Sequence, residues 1–125
     1  MGQNLYSIFE TDHDLERGGI SVRYGEAVFL IARAGGANLA FKTDMERQMR
    51  PYRSSVQSGT LSDGIAEDIL RSAFAKTVVL DWEGVTDREG KEIDFSPEAA
   101  EQLFKNLPDL FDDLQTQSQK ISNYI

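Results

Sequence analysis

The sequence predicts a small, mainly α-helical α+β domain, with about four helices behind an N-terminal β-hairpin. Three observations carry this expectation. Around Gly25, between Ile20 and Ile31, the residues are β-branched and aromatic, alternating with polar ones in the first arm. From about Ala37 the apolar residues recur at helical spacing. Ser62-Asp63 and Ser96-Pro97 are each a polar cap followed by a residue suited to a first helical turn. At 125 residues one core can form without disulfides or a structural metal, and the sequence contains no Cys.

The first fourteen residues mix polar and apolar types without a period and are expected to form an arm, with a single mainly helical domain over 15–125. In "GGISVRYGEAVFLIARAGG" Ile20, Val22 and Tyr24 form one arm of the hairpin, Gly25 offers the turn, and either Val28 and Leu30 or Phe29 and Ile31 face inward. Gly35-Gly36 should end it. Phe41, Met45, Met49 and Tyr52 then share one helical face, and Pro51 should kink or stop that helix by removing a donor. "SSVQSGTLSDG" reads as a polar connector with Gly59 as a stop. Thr60 or Ser62 caps a long helix carrying Ile65, Ile69, Leu70 and Phe74, expected to run to about Trp82. Ser96 caps the next helix, with Pro97 at its first position and an apolar stripe of Ala99, Ala100, Leu103, Phe104 and Leu107. Pro108 begins a last helix with Leu110, Phe111, Leu114 and Ile121 on its apolar side.

The acidic stretch "LDWEGVTDREGKEIDFSPE", Leu80 to Glu98, invites a calcium reading. With Gly90 at position six of a twelve-residue loop, Asp87 and Glu89 fall at three and five. Positions one and twelve are then Val85 and Ser96, so both anchoring ligands are missing. A tight turn at "DREG", with Gly90 at positive φ and Val85 and Ile93 packing inward, is the better account. His13 is the sole histidine, and a triad or histidine metal site would have to be built around the arm. No phosphate-cradling glycine pattern is present. Catalysis and a cofactor are therefore not expected. A small enzyme would need a formed pocket with convergent polar groups, of which the sequence gives no sign.

The net charge of −8 lies in one half. Up to Ser62 seven basic residues balance seven acidic ones, and from Asp63 onward six face fourteen. This argues against non-specific nucleic-acid binding and for solubility or a basic protein partner. Lys42, Arg47, Arg50 and Arg53 are the one basic cluster; they suit an acidic partner or simply the C-terminal end of a helix. The longest apolar run, "AVFLIA", is far too short for a membrane span, and no secretory signal is expected from "MGQNLYSIFETDHD". Tyr6 stands where a myristoylation signal wants Ser or Thr. A cytoplasmic site of action is expected.

Three phrases together, "VFLIARAGGAN", "MRPYRSSVQSGTLSD" and "VVLDWEGVTDREGKEIDFSPEAAEQLFKNLPDLFDDL", resemble the small tail assembly chaperones of long, flexible-tailed bacteriophages. The resemblance spans about Ile20 to Leu114 and is most specific in the Trp82–Glu98 passage followed by "LPDLF". It implies a protein that binds the helical tape measure protein, keeps it soluble, helps recruit tail tube protein and is absent from the mature virion. The alternative is a virion structural subunit of the tail or head–tail connector. Docking of an amphipathic helix would use apolar residues that the core does not consume. Phe41, Met45 and Met49 form one candidate group, methionine being adaptable, and Phe104, Leu107, Leu110 and Phe111 the second. Core packing is the competing reading for each. Self-association through an unprotected hairpin edge stays open.

Overall fold

The computed structural model describes residues 4–34 and 38–125 of the chain. Their elements are α1 (Leu5–Phe9), α2 (His13–Gly18), β1 (Ile20–Tyr24), β2 (Ala27–Ile31), α3 (Leu39–Met49), a 3-10 turn Arg50–Tyr52, α4 (Arg53–Ser58), α5 (Asp63–Thr77), β3 (Val79–Glu83), α6 (Pro97–Asn106), α7 (Pro108–Gln119) and a 3-10 turn Ile121–Tyr124. The result is an α+β fold in which long helices cover one face of a small antiparallel sheet of order β1-β2-β3.

The hairpin forms as expected. Tyr24 pairs with Ala27 across a two-residue connection. Gly25 has φ +62°, and no described non-glycine residue has positive φ, which is the type II′ pattern that suits strand twist. Phe29 and Ile31 face the helices, beside Val22 and Ile20 on β1, which decides between the two inward sets. The break expected at Gly35-Gly36 lies outside the described residues.

Two expectations need correction. The long helix does not reach Trp82. It stops at Thr77, and Val79–Glu83 is a third strand, antiparallel to β2, with Phe29 opposite Trp82 and Ile31 opposite Val79. The physical reason sits in β2: a strand apolar on both faces is central, and its backbone groups need partners on both sides. A bulge at Leu30/Ile31 leaves Leu80 unpaired and partly exposed. The helix count is also higher than about four. The four long helices α3, α5, α6 and α7 fall where expected, but the supposed arm contains α1 and the start of α2, and the polar connector contains α4. Asn4 and Ser7 form a capping box for α1, and Gly59 ends α4 at φ +72°.

Caps set the long helices. Ser62 accepts from the Ile65 N–H at 3.3 Å and Ser96 from the Ala99 N–H at 3.0 Å. Pro97 and Pro108 each open a helix. At the centre Phe74 meets Phe41, Phe104 and Phe111 edge-on, at ring-centroid distances of 6.4, 5.9 and 5.3 Å, and Phe104 stacks on Phe111 at 5.0 Å.

The segment around Asp12 meets Tyr124. Tyr124 is fully buried, its hydroxyl donates to the Ile31 carbonyl at 3.3 Å, and its own carbonyl accepts from the Asp12 N–H at 2.6 Å. Burial pushes the Tyr124 phenol up to about 12. Next to it Glu16 is paired with Arg33 at 3.1 Å and accepts from the Thr11 hydroxyl. The Thr11 hydrogen bond, helped by Arg33 and opposed by burial, holds the Glu16 carboxyl below its ordinary value.

Candidate functional site

The acidic stretch between β3 and α6 is a shaped turn. Asp87 Oδ1 accepts from the Glu89 and Lys91 N–H groups at 2.9 Å each, so this carboxylate serves the backbone. Gly90 sits at φ +86°, where an L side chain would be strained, and its N–H donates to the Asp87 carbonyl. Thr86 pairs with Glu92, and Val85 is buried in the core with Ile93 packed against it. The Trp82 Nε1–H donates to the Ile93 carbonyl at 2.8 Å, tying the loop to β3. The turn expected at "DREG" is thus formed.

The seven candidate docking residues divide. Phe104 has 0% of its surface exposed and Phe111 is nearly as buried, so both belong to the aromatic core; a partner would reach them only by opening it. Phe41 and Leu110 are half-buried against that core, and Met45 and Met49 are half-buried on α3. Leu107, at the corner between α6 and α7, is 50% exposed. The helical stripe shared by these residues on each segment is therefore largely the core stripe, and only its edge meets solvent.

Large apolar residues outside these seven are exposed as well. On α1, Leu5 is 72%, Tyr6 76% and Phe9 57% exposed, and none of its residues is buried. The signal was present: Asn4 followed three residues later by Ser7, with apolar residues at Leu5, Tyr6, Ile8 and Phe9, is a capped turn. Leu39, at the start of α3, and Leu80, at the bulge, line a groove of about 610 Å³ with His13, Arg17, Ala32 and Arg33. His13 is mostly exposed, with Nδ1 3.3 Å from Glu16.

A second cleft, of about 420 Å³, lies between α3 and α4 and is lined by Glu46, Met49, Arg50, Arg53, Val56 and Gln57. Of the basic cluster, Arg47 is bound to Asp44 at 2.6 Å. Burial works against the Asp44 charge, but bonds from Arg47 and Gln48 outweigh it and hold the carboxyl below its ordinary value. Arg50 and Arg53 are exposed and among the described residues pair with no carboxylate.

Fold and surface define a small α+β protein that leaves several large apolar side chains uncovered. The family model of the YdaY prophage protein matches residues 35–125, most of the chain. The chain belongs to this prophage protein family and is phage-derived. The match begins after the β1–β2 hairpin, so α1 and α2 lie ahead of it. No curated protein and no solved structure matches. No described helix is long and apolar enough to cross a membrane.

Proposed function

We propose that this phage-derived chain is a tail assembly chaperone that binds the tape measure protein, keeps it soluble and helps recruit tail tube protein in the host cytoplasm. The sequence resemblance supports this reading, and so does descent from a prophage. The observation that carries it is the set of apolar residues that the core does not consume: Leu5, Tyr6 and Phe9 on α1, and Leu39 at the start of α3. Scattered single exposed residues would mean little, but a short capped helix with Leu, Tyr, Ile and Phe all exposed costs free energy in water unless something covers it. A long amphipathic helix with apolar stripes is suited to cover it. Repeated weak sites along one tape measure chain would act by avidity. The activity is binding and needs no catalytic step or cofactor.

The test is co-expression with the tape measure protein of the same phage, followed by pull-down and a solubility assay. The reading expects co-purification and a soluble tape measure protein, both reduced in the variant Leu5→Asp/Phe9→Asp. If the tape measure protein aggregates regardless and this chain is found at fixed copy number in purified virions, the protein is a structural subunit.

A further inference from the structure

We propose that the α3–α4 cleft of one copy takes the α6–α7 corner of a second copy, a head-to-tail contact of one chain with itself. Met49 and Val56 give the cleft an apolar part of its lining, and Val56 is 46% exposed. Arg50 and Arg53, both exposed, also line it, with no carboxylate partner among the described residues. The corner has the matching features in reverse. Leu107 projects at 50% exposure, followed by Asp109 and Asp112, also three positions apart and exposed on the first turns of α7. Among the described residues neither aspartate is in an ion pair, whereas Asp113, the third acidic residue there, is held by the Tyr24 hydroxyl. Asp109 and Asp112 share a face of α7, and Arg50 and Arg53 line the same cleft, so the two pairs of charges can meet while Leu107 packs on Met49 and Val56. Glu46, also lining the cleft, sets the side from which an acidic segment is repelled.

The charge asymmetry of the chain gives the same direction. The acidic excess lies from Asp63 onward, so the corner belongs to the acidic part of the chain and Arg50 and Arg53 to the neutral part. Because the two patches are different surfaces, the contact is heterologous: it repeats from copy to copy and closes into a ring or continues as a filament.

The full-length chain alone is the material for the test, so its result is independent of tape measure binding. Sedimentation velocity across a concentration series, at low and high salt, should show self-association that salt weakens. Arg50→Glu/Arg53→Glu and Asp109→Lys/Asp112→Lys should each weaken it at least about tenfold, as expected for lost charge pairs. Circular dichroism on each variant checks folding. Mixed together, the two variants offer two matched contacts, the native corner with the native cleft and the reversed corner with the reversed cleft, so association lost in each alone should return. Three results would overturn the proposal: a wild-type chain monomeric throughout the series, association unchanged by both reversals (which would place the contact elsewhere, such as on the hairpin edge), or two folded variants that fail to pair.

Discussion

At the scale of single residues, the Glu16–Arg33 pair is the most exposed to perturbation, because both side chains are largely buried and joined at 3.1 Å. Removing one partner strands the other charge away from water. Arg33→Met should therefore lower unfolding free energy by about 3 kcal/mol, and adding Glu16→Gln should recover part of it, measured by urea unfolding. The pair also sets a pH dependence. The folded Glu16 carboxyl lies below its ordinary value of 4.5, so its stabilisation is fully present above that value and is lost as pH falls through the folded pKa. Acid unfolding should consequently begin at higher pH in the wild type than in Glu16→Gln, relative to each protein's neutral-pH stability. Gly84 is the other sensitive point. It sits at φ +69°, and a Cβ there would stand 2.3 Å from the Glu26 carbonyl oxygen. Gly84→Ala should cost about 2 kcal/mol or more, since both the backbone conformation and the β2–β3 approach oppose it.

At the scale of elements, caps separate helices that the core holds from one that it does not. Ser96 opens α6, which carries the buried Ala100 and Phe104, so Ser96→Ala should lower global stability by about 1 kcal/mol. Asn4 caps α1, none of whose residues is buried. Asn4→Ala should fray α1, visible in NMR chemical shifts of residues 5–9, with melting temperature unchanged. A short helix without tertiary packing is marginal, and its cap is the main local interaction that holds it. The strands show how far an element can be read from its own residues. Alternation and Gly25 were enough for the β1–β2 hairpin, because its register follows from a two-residue turn. "VVLDW" has helical apolar spacing when joined to α5 and strand spacing when taken alone. Only the unpaired side of β2 decides between them.

At the scale of the whole molecule, Phe74 connects α3, α5, α6 and α7 through its contacts with Phe41, Phe104 and Phe111. Phe74→Ala should cost about 4 kcal/mol, with a cooperative fall in melting temperature seen by calorimetry, because no neighbouring chain is free to collapse into the space. The same hub explains why helical spacing does not separate core residues from exposed ones. Phe104 and Phe111 occupy helical positions that any apolar stripe would, and burial sorted them into the core while Leu107, one step beyond, stayed in water. The helix starts at Ser62 and Ser96, the turns at Gly25 and "DREG" and the strand character of β1 and β2 were legible because each depends on residues within a few positions of one another. The third strand, the burial of Tyr124 against Ile31, the Glu16–Arg33 pair and the division between core and free apolar residues were decided only by tertiary structure. Each of those depends on which distant segments share one core, and local periodicity carries no record of that choice.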